Sequence, residues 1–460
     1  MRRILIPLAI CLALVSPALA DSGEALFARL PPVELPELDK EVIAFGEEAT
    51  FILLGLTLAA ETYDGRSASS LAGSSLAGED VYFDAGLALR YDRFLESENW
   101  AYRILGYGKF AVQATDDTYS IKPGAVLAPR FKFYFVPDPA VFAHIQIDVD
   151  YRTDKQKDID AVSRLALRAG AGLGYGRVFD VGPRQRLVAV EKALRKAGVL
   201  DDEIPAETGD RILLHWFALR DAIGYYQHLG YMLKCLGGDG LLREEVDFAL
   251  SYQLLQILRD PSYEDRRDGL ELWLDFMFHD EVIDEQVANL GLLAYLELAR
   301  PMEHDEQVTF TADFGMGLYN AKHWRLGLDV LYESYMHSEH GDPLGTLYVG
   351  GLVDLEAVNG DASKVGYLAG AVFGYANRFT RNLEFAVDLV AGLGSASMAL
   401  QTDAGVGSGP WGAQERWFDT TMPGARVDPN VTSGESKVGF VMLLRAGFHY
   451  GWGRGSFVIY

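Results

Sequence analysis

The chain has 460 residues, 49% of them hydrophobic and 12% aromatic, with a formal charge of −24. That length is too great for one small domain and suits a large body plus one additional domain. The acidity argues against a nucleic-acid partner, because phosphate binding needs clustered Lys and Arg.

The first residues read MRRILIPLAICLALVSPALA. Arg2 and Arg3 make a positive n-region, Ile4 to Val15 an apolar h-region, and Ala18-Leu19-Ala20 an A-x-A cleavage motif. This is the pattern of a cleavable secretory signal peptide over residues 1–20, with Ala18 and Ala20 at the cleavage site. Loss of Arg2 and Arg3 takes the formal charge from −24 to −26. Only Cys235 then remains, so no internal disulfide is expected. Residues 21–48 carry Pro31, Pro32 and Pro36 among scattered acids and read as a periplasmic arm, with folding into the lumen as the alternative.

From residue 49 the dominant period is 2. In Val141 to Tyr151, Val141, Ala143, Ile145, Ile147, Val149 and Tyr151 alternate with Phe142, His144, Gln146, Asp148 and Asp150. Successive strand side chains point to opposite faces, so one face is apolar and the other polar. The length matches the roughly 9–11 tilted residues that cross a bilayer as β-structure. Comparable segments are Ala49 to Ala60, Val81 to Asp92, Trp100 to Gln113, Val126 to Val136 and Ser163 to Gly176. Pro129 is expected beyond the bilayer core, because it donates no ladder hydrogen bond. Gly170, Gly172, Gly174 and Gly176 recur at spacing 2, which suits inward positions leaving room for large neighbours rather than a nucleotide loop.

The period then shifts towards 3.6. Pro183 opens a helix as a good first residue, Leu187, Val190 and Leu194 share a face, and Gly198 closes it. Asp210 to Leu236, Leu241 to Arg259, Tyr263 to Phe278 and Ile283 to Ala299 continue the pattern until Pro301. Residues 183–300 are therefore expected to form an inserted all-α domain, its aromatic run around His215, Trp216 and Tyr231 serving as core. Strands resume at Gln307 to Tyr319 and His323 to Glu333. Leu344 to Ala357, Val365 to Asn377, Leu383 to Gly394 and Val438 to Tyr450 follow.

The expected fold is mainly β with an α insert: a transmembrane antiparallel up-and-down barrel over 49–176 and 306–460. It has about twelve strands, or fourteen if 412–422 and the last eight residues are both strands. Aromatic residues near the segment ends match the interfacial girdles of such barrels. The chain end, with Phe457, Ile459 and Tyr460, resembles the aromatic-terminated C-terminal sorting signal of bacterial outer-membrane barrels, which are porin-like. That resemblance implies a Gram-negative cell envelope, outer-membrane lipids as surroundings and insertion by the outer-membrane assembly machinery. Gly451 to Gly455 departs from the pattern by interrupting the alternation. Short turns belong to the periplasmic end of such barrels and longer loops to the outer end. This count puts the insert, after the sixth strand, in the periplasm.

The inward faces are where function is sought. Their expected lumen-lining residues are Asp84, Arg90, Arg103, Lys109, Arg130, Lys132, His144, Asp148, Asp150, Arg164, Arg168, Asp313, Arg325, Asp329, Glu333, Glu384, Asp388 and Arg445. Opposite charges could pair and fill the lumen, or line a channel for small polar solutes. His144 has no Ser two residues away, and the set His323, Asp329 and Glu333 is a weak metal motif, so no catalytic residue, metal or cofactor is assigned. The leading expectation is a non-enzymatic passive or secretion-linked channel whose helices gate it or recruit a periplasmic protein. The alternatives are a closed barrel anchoring the helices and, less favoured, an outer-membrane lipid-modifying enzyme.

Overall fold

The computed structural model describes residues 42–62, 81–114, 119–136, 140–156, 162–218, 224–260, 263, 266–280, 289–303, 305–317, 324–337, 343–357, 365–378, 383–395 and 438–458, with some side chains inside the strands left undescribed. The signal peptide, residues 21–41, the segment 412–422, Ile459 and Tyr460 lie outside the described residues.

Among the described residues there are fourteen strands. The first six are β1 (Val42–Thr62), β2 (Val81–Ser97), β3 (Trp100–Ala114), β4 (Tyr119–Val136), β5 (Val141–Gln156) and β6 (Val162–Asp180). Four helices follow: α1 (Gly182–Lys196), α2 (Ala206–Ala218), α3 (Tyr225–Gly238) and α4 (Phe248–Arg259). The chain then returns to strands at β7 (Arg267–Asp280), β8 (Asn289–Glu303), β9 (Glu306–Gly317), β10 (Trp324–His337) and β11 (Pro343–Ala357). It ends with β12 (Val365–Arg378), β13 (Leu383–Ser395) and β14 (Val438–Val458). Each strand pairs antiparallel with its sequence neighbour, and β14 pairs with β1, so the ladder closes on itself.

The alternation is realised in side-chain exposure. On β5, Ile145 and Ile147 are exposed while Phe142, His144 and Gln146 are buried. On β4, Phe131, Phe133 and Phe135 face out and Arg130 and Tyr134 face in. A row of large apolar side chains on the outside, with polar groups inside, inverts the arrangement of a water-soluble protein.

Four expectations are corrected. The fourteen strands do not come from 412–422 and an extra C-terminal hairpin: β7 and β8 occupy stretches expected to be helices, so the helical insert ends at Arg259 rather than near 300. The ambiguity is physical. Leu270, Leu272, Leu274, Phe276 and Phe278 alternate as a strand requires, but Trp273 and Met277 make the inward face apolar too, and Leu270, Trp273, Leu274 and Met277 also satisfy helical spacing. Pro301 lies within β8 instead of stopping a helix, where the β8–β9 register shifts between Pro301 and Glu303. The arm is shorter, since β1 begins at Val42 and its first residues pair with the end of β14. Pro129, by contrast, interrupts the β4–β5 ladder as expected: it stands opposite Ile104 of β3, and the pairing with β5 passes from Leu127↔Val149 to Arg130↔Gln146 around it. The glycine-rich end does not break β14: it runs on to Val458, absorbing a register shift opposite Glu47 and Glu48.

The helices form an up-and-down bundle. Pro183 stands in the first turn of α1, and Gly198 takes a left-handed φ of 74° just past its end, as a C-terminal glycine does. Asp247 caps α4, its Oδ1 accepting from Leu250 N at 2.7 Å. Leu187, Val190, Leu194, Ile212, Trp216, Met232, Leu236, Leu254 and Leu258 bury a common core, and Cys235 packs half-buried against it. His215, Trp216 and His228 of the aromatic run are buried with them, whereas Tyr226 of the same run is exposed.

The inward glycines of β6 seat large side chains of their neighbours. A Cβ at Gly170 would meet the Met277 sulfur, at Gly172 the Asp275 carboxylate, and at Gly174 the Phe142 ring. Gly174→Val should therefore lower the urea unfolding free energy of the refolded protein by about 1–3 kcal/mol. Ala171→Val, at an exposed position of the same strand, should leave it within about 0.5 kcal/mol. Equal effects at both positions would remove the seating role.

Candidate functional site

The inward rows of β4, β5, β7 and β8 converge on one packed layer. Lys132 Nζ on β4 donates to Glu271 Oε2 on β7 at 2.5 Å, across two intervening strands. Arg130 Nη1 lies 3.7 Å from the other Glu271 oxygen, its Nη2 donates to Gln146 Oε1 at 3.1 Å, and its guanidinium stands 4.5 Å from the Trp273 ring. Trp273 stacks on Tyr295 at 5.0 Å and meets His144 edge-on at 5.4 Å. His144 Nε2 contacts Asp275 Oδ1, both side chains fully buried.

A second tier lies nearer the insert. Arg177 Nε pairs with Glu96 at 3.2 Å and its guanidinium lies 3.8 Å from the Tyr134 ring, while Tyr134 donates to the same Glu96 at 2.7 Å. Leu173 and Tyr175 face out, so strict alternation would turn Arg177 outward as well. Gly176, with φ of 86°, breaks the alternation and brings Arg177 to the inside. The layer thus joins β2, β4, β5, β6, β7 and β8 through charge-assisted bonds and ring contacts. Ions stripped of water are tolerated only in such paired geometry.

Eight expected lining residues have described side chains on inward rows. Arg103, Arg130, Lys132, His144 and Asp148 lie on β3 to β5, with Arg103 donating to Asp92 at 2.6 and 3.0 Å. Asp313, Asp329 and Glu333 lie on β9 and β10, the Asp313 carboxylate against Gly327 and Glu333 accepting from Gln307 Nε2 at 3.4 Å. The remaining ten, Asp84, Arg90, Lys109, Asp150, Arg164, Arg168, Arg325, Glu384, Asp388 and Arg445, lie within strands, with side chains outside the described residues. Register sets Asp148 opposite Arg168 and Asp388 opposite Arg445. Sequence reasoning missed Glu271, Trp273, Asp275, Tyr295 and Glu297, all on the two strands read as helix, and the signal that finds them is the Leu270–Phe278 alternation.

The insert is rooted beside this layer. Val181 N donates to Arg266 O at 2.7 Å and Arg186 Nη2 to Asp260 O at 2.9 Å, so entry and exit of the insert lie together. The exit is tied to the next strands: His337 Nε2 lies 2.6 Å from Asp260 Oδ2, and the fully buried Arg266 donates to Glu306 O at 2.6 Å and lies 4.4 Å from the Tyr335 ring. From that root α1 and α2 reach β14, on the far side of the ring from β6, and β14 also comes within 8 Å of β6, Cα to Cα. The insert therefore makes contact with strands on both sides of the ring.

No family model matches the chain, and no curated protein matches it. Solved structures similar to it include the translocator domain of the autotransporter NalP from Neisseria meningitidis, at 8% identity over 90% of each chain with a TM-score of 0.25. CdiB from Acinetobacter baumannii is 7% identical over 88% of this chain and 60% of that chain, with a TM-score of 0.32. OccK11 (OpdR) from Pseudomonas aeruginosa is 7% identical over 90% of this chain and 98% of that chain, with a TM-score of 0.28. The architecture described above rests on this chain's own ladders and side chains.

Two predictions follow from the packing. Glu271→Ala leaves Lys132 and Arg130 buried without their carboxylate and should cost about 3–5 kcal/mol of unfolding free energy, whereas the paired change Lys132→Met/Glu271→Leu should cost less. Within the insert, His215 stacks on Tyr231 with ring centroids 3.3 Å apart, and burial pushes its imidazole down to about 4. The unfolded chain therefore takes up a proton near pH 6.5 that the folded insert refuses. The stabilisation is complete above about pH 6.5 and is lost as pH falls towards 4. The helical signal of the insert should melt at lower temperature across that window, and His215→Phe should flatten the dependence. An unchanged slope in the variant would assign it to another group.

Proposed function

We propose that this protein is an outer-membrane β-barrel channel whose lumen is held closed at the insert end, with the helices on the periplasmic side. The supporting observation is the row Glu271, Trp273, Asp275 and Met277 of β7, which passes over the inward glycines of β6 to engage β4 and β5 inside the barrel. The belt of exposed Phe, Leu, Ile and Val on the outer face suits hydrocarbon and not water. The orientation follows from connection lengths. Strands at the insert end are joined across 98–99, 304–305 and 379–382, while 63–80 and 396–437 lie at the other end. Short connections belong to the periplasmic side of such barrels. The lumen lining mixes acids and bases, which suits small polar solutes and gives no strong preference for either sign of charge.

A second reading, a closed barrel that anchors and presents the helices, is favoured by the same buried ion pairs, since a packed layer also serves a barrel that never opens. Single-channel conductance in a planar bilayer separates the two, using wild type, Glu271→Ala and a form in which a short Gly-Ser linker replaces 183–259. The channel reading expects low or flickering conductance from wild type and a larger, steadier one from either variant. Silence from all three forms, each shown to be folded, would discard the channel and leave the anchor.

A further inference from the structure

We propose that the far end of the helical insert is a docking surface for a cationic, apolar-faced segment of another protein. This rests on the proposed orientation only for the compartment in which the partner is met. Helices α1 and α4 run antiparallel: Arg186 of α1 bonds the residue ending α4, while beyond the other end of α1 Val199 O accepts from Arg243 N at 3.0 Å and Leu200 bridges to Leu242. That far end carries the start of α4. Phe248 there is 86% exposed, more than any other large apolar side chain among the described residues, and Tyr252, one turn on, is 48% exposed. The cap bond from Asp247 fixes Phe248 in the first turn of the helix, so the ring is held outward on a rigid element.

The surroundings of this aromatic pair are acidic. Glu244, Glu245 and Asp247 precede Phe248 and are exposed, and the Leu200–Leu242 bridge brings exposed Asp202 and Glu203 to the same end. Of the nearby bases, Arg243 is paired with Asp201, Arg195 with Glu191 and Arg211 with Asp239, and the exposed Lys192, Lys196 and Lys234 are outnumbered by the carboxylates of this end. Rigid aromatic groups dominate binding energy at protein surfaces, and a rim of one sign selects a partner of the other. The same charge argues against other occupants. Anionic headgroups and a second copy of this surface would be repelled. So would residues 21–41 of this chain, where Asp21, Glu24, Glu34, Glu37, Asp39 and Glu41 outnumber Arg29 and Lys40.

The test uses the full-length protein in phosphatidylcholine nanodiscs and a fluorescent amphipathic peptide of about 18 leucines and lysines, with a leucine–glutamate peptide as counterpart. Saturable binding of the lysine peptide is expected, weakened by raised salt and by about tenfold or more in both Phe248→Ser/Tyr252→Ser and Glu244→Lys/Glu245→Lys. The glutamate peptide should bind only to the second variant. Equal affinity for both peptides, or an unchanged affinity in both variants with their helical signal intact, would overturn the proposal, as would binding that follows the lipid and not the protein. Conductance of the same preparations is read separately. A silent pore with charge-selective docking defeats the channel reading alone, and a conducting pore without docking defeats this one alone.

Discussion

A barrel can carry large charged and aromatic side chains across its interior only where one stretch of wall gives up its own. Here that stretch is β6, whose inward positions Gly170, Gly172 and Gly174 lie under Met277, Asp275 and Phe142. With side chains at those positions, β7 could not present Glu271 to Lys132 and Arg130, nor Asp275 to His144. The ion pairs are thus a consequence of backbone space. Their energy is a delicate balance, because the mutual attraction of buried ions roughly repays their loss of water. What the arrangement secures is a single closed packing, since each buried charge accepts few alternative neighbours.

How much of this was legible in the chain depends on what each strand faces. Twelve strands were readable because charged, polar or small residues recur along their inward rows, so that the outer apolar row stands out at period 2 even where an inward Leu105, Phe142 or Tyr348 is buried. β7 and β8 were not, because their inward rows hold the buried Trp273, Met277 and Leu293 and the partly buried Tyr295. A strand that is apolar on both faces loses its period, and Leu, Glu and Ala in these stretches are good helix formers. The error was therefore largest where the interior is most tightly packed. The same cause hid Glu271 and Asp275, the acidic half of the layer, while its basic half, Arg130 and Lys132, was read directly from β4. The glycines of β6 were read as space-making, and their neighbours occupy that space. Arg177 was beyond any parity argument, since its inward turn depends on the conformation of Gly176.

The helical bundle was easier to read in kind than in extent. Leu187, Val190 and Leu194 repeat as a helix must, and Pro183 and Gly198 mark its ends by backbone chemistry. Its core closes within residues 187–258, so the bundle needs nothing from β7 or β8 to fold its apolar faces together. The bonds of Arg186, Asp260 and Arg266 do not complete that core. They fix where the bundle stands, tying it to the start of β9 and the end of β10 through the Glu306 carbonyl and His337.

This placement has a mechanical consequence. The insert joins the barrel between β6 and β7, of which β6 supplies the vacant seats and β7 two of the side chains that fill them, Met277 and Asp275. Glu271 lies four residues into β7, roughly 13 Å along a strand from the end that holds the insert. Arg177, on the other flank, is three residues from the end of β6. A load on the bundle would therefore be delivered to the two strands whose relative register keeps the layer assembled, and a small slip between them would separate Asp275 from the space above Gly172. In the proposed orientation, a protein bound at the far end of α4 would pull on the closed layer through the shortest covalent path the fold provides.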